Sequence, residues 1–155
     1  MSRRSVLIDA LAATPRDLAR LLRPVSATMA LRRPAPDQWG VAEVVAHLSV
    51  NEVAYQERLR LIIEQDTPTV PYIHPDPSIH DLQYPLHELY EQFCERRNET
   101  LTFLRGLSQH QWARRLVHET LGPSRFRDQV QLLVDHDSTH LEQIVTLRAW
   151  MDTLR

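Results

Sequence analysis

Near the end of the chain, apolar residues recur every three or four positions, as they do along one face of an α-helix. The apolar members of this row are Phe126, Val130, Leu133, Ile144, Leu147 and Met151. They predict a last helix over about residues 125 to 153. His136 and His140 occupy the two positions of the row between Leu133 and Ile144. Side chains four residues apart lie on one helix face, so both imidazoles are expected to project toward the core, where polar rings need partners.

The same periodicity predicts three more long helices. The first covers about residues 4 to 24, the second runs from near Gly40 to about Gln65, and the third opens near Pro85 and ends at Gly106. The first helix is expected to turn one apolar side inward, which consists of Val6, Leu7, Ala10, Leu11, Leu18, Leu21 and Leu22.

These segments predict an all-α fold class, a four-helix bundle with short extra helical turns, one of them around residues 108 to 113. No stretch shows the period-two alternation of a strand, and 155 residues fit a single domain that spans 1–155. An antiparallel up-and-down arrangement and one with a single crossover are both compatible with these helices. Thr14 and Pro15 look like a cap and a first-turn proline, which leaves open whether the first helix is split or bent.

A proline-rich segment from Asp66 to Gln83 separates the second and third helices. Loops of this length in compact domains are commonly functional, so we expect it to form a wall or lid that selects the substrate. Five further histidines are interpreted as solvated loop or surface residues, namely His74, His80, His87, His110 and His118.

Composition and charge narrow the classes of function. The net charge is −2 and the sequence pI about 6.4, and arginine pairs are scattered among acids, which argues against nucleic acid as a partner. No apolar run approaches the roughly 20 residues of a membrane span, so no membrane is expected as a partner. The single cysteine, Cys94, excludes an internal disulfide and favours a reducing compartment. Asp9 interrupts an N-terminal stretch that otherwise looks like a twin-arginine export signal, so a cytoplasmic location is expected.

Two segments carry a resemblance to a known family. Residues 39–48, WGVAEVVAHL, resemble the W-[ST]-x-x-E-[VIL]-x-x-H-[LIV] signature of the DinB-like (YfiT-like) superfamily of metal-dependent enzymes. Residues 136–144, HDSTHLEQI, resemble its closing H-x-x-x-H-x-x-Q-[IL] motif, in the family's order and 89 residues after His47 (136 − 47). Gly40 departs from the usual serine, which concerns only the helix cap. The resemblance covers nearly the whole chain and implies a four-helix bundle that binds one divalent metal ion through His47, His136 and His140, often as a homodimer.

Three imidazoles with a fourth position left open are typical of a catalytic metal site, whereas a closed structural site needs a fourth protein ligand. Imidazole binds several transition metals, so zinc is our first expectation, with nickel, iron, manganese and copper as alternatives. The spacing of His136 and His140 alone is equally compatible with two core histidines that hydrogen-bond to carboxylates.

Three polar side chains lie within about one helical turn of the expected ligands. Glu43 precedes His47 by four residues and Asn51 follows it by four, so both can hold the imidazole in place or contact a substrate. Glu43 is equally interpretable as a first-turn acid that favours the helix dipole. Gln143, three residues after His140, can orient that ring or lie on a solvated helix face.

The sequence supports two classes of function. In the first, the protein is a metal-dependent enzyme, either a small-thiol S-transferase or a hydrolase. The characterised members of the resembled superfamily include thiol-dependent S-transferases and a mycothiol-dependent isomerase, and others are suspected hydrolases. The motifs of this chain identify no catalytic side chain; a metal-bound water or an incoming thiolate, from a low-molecular-weight thiol, would act on a small-molecule substrate. In the second, the protein is a non-catalytic, metal-containing stress-response or binding bundle that acts as a dimer.

Overall fold

The computed structural model describes residues 1–75 and 83–155 of the chain. The predicted fold class is confirmed, because long helices form a four-helix bundle. These helices are α1 (Arg3–Leu22), α3 (Val41–Glu64), α4 (Leu86–Gly106) and α6 (Phe126–Asp152). One-turn helices are α2 (Ala27–Ala30) and α5 (Gln109–Trp112). Within the described ranges, no helix is long and apolar enough to cross a membrane.

The long helices form a ring in which α1 packs against α4 and α6, and α3 packs against the same two helices. The first two long helices therefore lie on a diagonal of the bundle. Arg3 contacts Asp128 near the start of both helices, and Thr14 contacts Asp137 further along both. It follows that α1 and α6, which lie at opposite ends of the sequence, run parallel.

The neighbours α3 and α4 also run parallel, because Ser49 contacts Arg96 and, further along both helices, Gln56 contacts Thr100. Parallel neighbours need a connection that returns along the bundle, and the 24 residues of α3 rise about 36 Å. Residues 65–85, which we call the crossover, supply this connection. The structure therefore has the single-crossover arrangement, one of the two that the sequence left open.

A small three-stranded sheet lies next to the start of α6 and is missed by the sequence analysis. β2 (Arg115–His118) pairs antiparallel with β3 (Gly122–Arg125) and parallel with β1 (Thr69–Val70), which belongs to the crossover. Gly122 has a φ of 77°, a left-handed conformation that favours glycine, and it closes the turn between β2 and β3. Each strand has four residues or fewer, so no alternating pattern stands out in the sequence.

Helix α1 continues through Pro15 without a break. Proline has no N–H, so the carbonyl of Leu11 lacks its helical partner and instead accepts a hydrogen bond from Arg97 Nη1 at 2.9 Å. The buried residues of α1 are Leu7, Ile8, Leu11, Thr14, Leu18 and Leu22. The predicted inward position of Val6 is wrong. Its side chain is 48% exposed, because the buried stripe of the helix passes through residues 7 and 8 and leaves residue 6 outside it.

Arg97 of α4 joins all four long helices. Its guanidinium donates two hydrogen bonds to Glu52 of α3 at 2.8 Å and two to Asp137 of α6 at 2.7 and 2.9 Å. The bond to Leu11 adds α1, and Thr14 donates to Asp137 at 2.6 Å. Burial disfavours the charged guanidinium, but the hydrogen bonds and charges of Glu52 and Asp137 outweigh it and raise the pKa of Arg97.

Gly40 precedes α3 at a point where no side chain fits. A Cβ at this residue would overlap the carbonyl oxygen of Arg32 and lie 3.2 Å from that of Ala30. This close approach accounts for glycine where the resembled family has serine. Glu43 caps the helix instead, because its Oε1 accepts a hydrogen bond from Gly40 N at 3.0 Å.

We predict that Gly40→Ala lowers the free energy of unfolding by about 1–3 kcal/mol, because the backbone around Arg32 has to shift. The matched control is Gly106→Ala, where a Cβ meets nothing within 4 Å and alanine favours the helix. Urea unfolding followed by circular dichroism measures both variants. Equal stability of the two variants would contradict the predicted overlap.

Candidate metal centre

The antiparallel packing of α3 against α6 brings three histidines together. One ligand nitrogen from each of His47, His136 and His140 lies within 4.8 Å of the others. Nε2 of His47 is 2.8 Å from Nε2 of His136, and the ring centroids of His136 and His140 are 4.4 Å apart. The fold thus joins residues that are 89 positions apart in the sequence.

Burial keeps these imidazoles neutral. It lowers the pKa of His47 to about 4 and that of His136 to about 3, and the charge of His140 adds to both shifts. Burial lowers the pKa of His140 as well. A neutral imidazole has the free lone pair that a divalent metal ion requires, so this donor set fits such an ion near neutral pH.

The alternative interpretation, core histidines bonded to carboxylates, does not match the contacts. Across residues 1–75 and 83–155, no carboxylate hydrogen-bonds to any of the three imidazoles, which contact one another and the amides of Asn51 and Gln143. Asp137, the acid next to His136 in the sequence, is bonded to Arg97 and Thr14 instead.

Gln143 orients the ring of His140. Its Oε1 lies 2.7 Å from His140 Nδ1. An amide oxygen can only accept, so Nδ1 carries the hydrogen and Nε2 keeps its lone pair. The side chain of Gln143 is half-buried, so it does not lie on a fully solvated helix face.

The other two polar candidates on α3 differ in position. Asn51 is buried, and its side-chain amide lies 3.3 Å from His136 Nδ1, where it can present either its nitrogen or its oxygen to the ring. Glu43 belongs to the start of the helix, where it accepts hydrogen bonds from the guanidinium of Arg33 at 2.7 and 2.9 Å and from Gly40 N. Its position matches the interpretation as a first-turn acid.

The three imidazoles open onto a cavity of about 460 Å³ between α3, α6, the crossover and the turn after β2. The crossover supplies one wall through Tyr72, Ile73 and Pro75, in agreement with the predicted wall. Residues 76–82, which include His80, lie outside the described residues. The remaining lining residues are Trp39, Asn51, Tyr55, Arg58, His118, Thr120, Leu121, Leu132, Asp135 and Thr139. Largely apolar and aromatic walls around a few polar groups are typical of a small-molecule site.

His118 is a correction to the sequence analysis, because its side chain is 4% exposed and lines the cavity. Its Nδ1 accepts hydrogen bonds from the backbone N–H groups of Thr120 and Leu121 in the turn after β2. Leu116 and His118, two residues apart in β2, are both buried, which is the period-two pattern that indicates their shared face. The exposed positions predicted for three other histidines are confirmed, namely His74, His87 and His110.

The face of α3 that carries His47 and Asn51 continues along the cavity through Tyr55 and Arg58. Steps of four, four and three residues keep these side chains on one helix face. The sequence analysis missed Arg58, because arginine is ordinary on a solvated helix surface. Burial raises the pKa of Tyr55, so its hydroxyl stays protonated near neutral pH.

Comparison with known proteins identifies a family and a fold. The model of the DinB superfamily matches residues 10–144. YfiT from Bacillus subtilis, described as a probable metal-dependent hydrolase with an unusual four-helix bundle topology, has a TM-score of 0.83 at 19% identity over 98% of this chain and 90% of that chain. An uncharacterised protein from Clostridium difficile 630 has a TM-score of 0.69 at 12% identity, over 98% and 97%. A DinB-like protein, YjoA, from Bacillus subtilis has a TM-score of 0.64 at 16% identity, over 94% and 92%. No curated protein matches the sequence, and at these identities the solved structures establish the fold alone.

The lowered pKa values predict how stability depends on pH. Unfolded histidines titrate near 6.5, so between about pH 6.5 and about pH 4 the unfolded chain binds protons that folded, metal-free His47 and His136 do not. These groups therefore destabilise the metal-free protein as the pH falls through this window, and have no such effect above it. We predict that the urea midpoint falls more steeply with acidification in wild type than in His47→Gln. The exposed control His110→Gln should keep the wild-type slope, and equal slopes in all three proteins would contradict the prediction.

Proposed function

The chain belongs to the DinB superfamily, and from that membership and its three converging histidines we propose that it is a metal-dependent enzyme that acts on a small molecule. The observation that carries the proposal is the position of the histidines in the wall of an open cavity. A structural metal site is closed by a fourth protein ligand, and the histidine group within the described ranges contains no fourth member.

We assign to His47, His136 and His140 the binding of one divalent ion, with zinc as the first choice. Such an ion supplies Lewis-acid chemistry, which polarises a carbonyl oxygen and favours the deprotonated form of a water or thiol. Gln143 and Asn51 hold the rings of His140 and His136, so each imidazole presents a fixed nitrogen.

The cavity wall offers groups that handle protons but no strong nucleophile. Tyr55 stays protonated and can donate a hydrogen bond to a substrate oxygen. Asp135 is the carboxylate among the described lining residues and can accept a proton from an attacking group. No cysteine or serine is among those residues, and Cys94 belongs to α4, which lines none of the described wall. The nucleophile therefore comes from solution.

Hydrolysis is the first reaction class that we propose, because YfiT, which shares this fold, is described as a probable metal-dependent hydrolase. Transfer of a small thiol to an electrophile is the second, because the cavity has room for a separate thiol and thiolate is a good ligand of zinc. The competing hypothesis is a bundle that binds metal without turnover. A homodimer and a cytoplasmic location stay predictions of the sequence analysis.

We predict that the purified protein contains about one metal ion per chain and that His47→Ala, His136→Ala and His140→Ala each lose most of it, because two imidazoles hold a divalent ion more weakly than three. Elemental analysis after gel filtration measures the metal content. The variants His74→Ala and His110→Ala, at exposed positions, should keep the wild-type content. Wild-type content in His136→Ala would end this assignment.

We also predict that metal-loaded wild type turns over at least one member of a panel of simple esters, amides and small thiols paired with electrophiles. Asn51→Ala should lower activity or metal affinity by about 10- to 100-fold, because it releases the ring of His136. Turnover of esters or amides would favour hydrolysis, and turnover of the thiols with their electrophiles would favour thiol transfer. Background rates in both wild type and His136→Ala across the whole panel would favour the non-catalytic hypothesis.

A further inference from the structure

One end of the cavity carries a buried cation, Arg58, whose hydrogen-bond partners are uncharged. Arg58 is 6% exposed, and its guanidinium donates hydrogen bonds to Gln129 Oε1 at 3.1 Å and to the carbonyl of Pro71. Both acceptors are uncharged. Over the part of the chain that the structure describes, no carboxylate forms an ion pair with Arg58.

Part of this guanidinium faces open space. Arginine has five N–H donors, and Nε of Arg58 makes no hydrogen bond in the described structure. Every fully buried side-chain nitrogen or oxygen of the described residues has a partner. It follows that Nε of Arg58 is open to solvent, and the residue lines the cavity. We take this Nε as the donor that a ligand in the cavity contacts.

His118 adds a second donor beside Arg58. Its Nδ1 accepts hydrogen bonds from the N–H groups of Thr120 at 3.1 Å and Leu121 at 3.2 Å, so the neutral ring carries its hydrogen on Nε2. Nε2 has no protein partner among the described residues, so it too is not fully buried, and His118 lines the cavity. His118 pairs with Val70 in the small sheet, and Val70 precedes Pro71, whose carbonyl accepts the hydrogen bond from Arg58, so the two groups lie close together. Burial lowers the pKa of His118, the charge of Arg58 lowers it further, and the charge of Glu119 opposes both.

Charge is distributed unevenly along the cavity. Asp135 lies next to His136 and carries negative charge near the histidines, whereas Arg58 carries positive charge further along. Gln129, the partner of Arg58, precedes His136 by seven residues, which rise about 10 Å along α6. A molecule with one anionic group is therefore drawn in with that group at Arg58 and its neutral part beside the histidines.

We infer that Arg58 and His118 bind a carboxylate group of the substrate, on the order of 10 Å from the reacting bond. The inference rests on the proposed function, which it deepens by placing the substrate in the same cavity. A carboxylate matches the fork and the single charge of one guanidinium, whereas a phosphate monoester carries nearly two charges. The substrate class is thus small monocarboxylates whose reacting group lies at the opposite end of the molecule.

Matched probes test this inference by binding, without turnover. The acid 4-phenylbutyrate and its uncharged amide, 4-phenylbutanamide, have the same shape and differ in the carboxylate. We expect metal-loaded wild type to bind the acid about 10- to 100-fold more tightly in calorimetric titrations, the range of a hydrogen bond to a charged group. Equal affinities, or no binding of the acid at millimolar concentration, would overturn the inference.

Variants separate this site from the metal ion, which also attracts carboxylates. Arg58→Met should abolish the preference for the acid, while Arg60→Met, on the exposed side of the same helix, should keep it. His118→Asn is a second variant, because asparagine keeps an acceptor for the turn and removes the Nε2 donor; it should weaken binding of the acid about three- to tenfold. A wild-type preference for the acid in Arg58→Met or in His118→Asn overturns the inference, and in Arg58→Met it would place the carboxylate on the metal ion.

The binding outcome and the turnover outcome are distinguishable. Arg58-dependent binding of the acid without turnover of any substrate would support a carboxylate site at Arg58 and count against the enzyme proposal. Metal-dependent turnover with equal kcat/KM for acids and amides would support the enzyme proposal and overturn the carboxylate site at Arg58. For a carboxylate substrate, Arg58→Met should raise KM more than it lowers kcat, because the contact is remote from the reacting bond and forms equally in the ground state.

Discussion

The buried guanidinium of Arg97 is the contact on which the arrangement of the bundle depends. Each of its two carboxylate partners directly follows a residue of the histidine site in the sequence: Glu52 follows Asn51, and Asp137 follows His136. Holding these carboxylates fixes the rotation of α3 and α6 about their axes, and so directs Asn51 and His136 toward the cavity. Burying such charges costs desolvation, so we interpret the network as selecting one packing of the helices rather than adding net stability.

Features encoded by short stretches of sequence were predictable. The helix expected at about residues 125 to 153 is found at Phe126–Asp152, because apolar periodicity identifies a helix whatever it packs against. His136 and His140 could be paired by their spacing within that helix. His47 was connected to them only by motif resemblance, because helix periodicity relates residues within one element and says nothing about another element 89 positions away.

Features that depend on distant partners could not be predicted in this way. The break considered at Pro15 does not occur, because Arg97, from another helix, satisfies the carbonyl that proline leaves free. β1 has two residues and exists through its pairing with β2, and the burial of His118 follows from the same small sheet. Arg58 has the sequence environment of a surface residue until the crossover folds over it through Pro71.

The parallel run of α3 and α4 also bears on how such a site can evolve. The crossover has to travel back along the bundle, and its described part passes the cavity, where it contributes Tyr72, Ile73 and Pro75. The three histidines stand on α3 and α6, so the crossover, which supplies one wall of the cavity, is separate from the helices that carry them. Insertions and substitutions in the crossover can therefore change this wall of the cavity while the histidine cluster stays the same. A fold with this division lets the cavity diverge among descendants of one ancestor while the histidine cluster is kept.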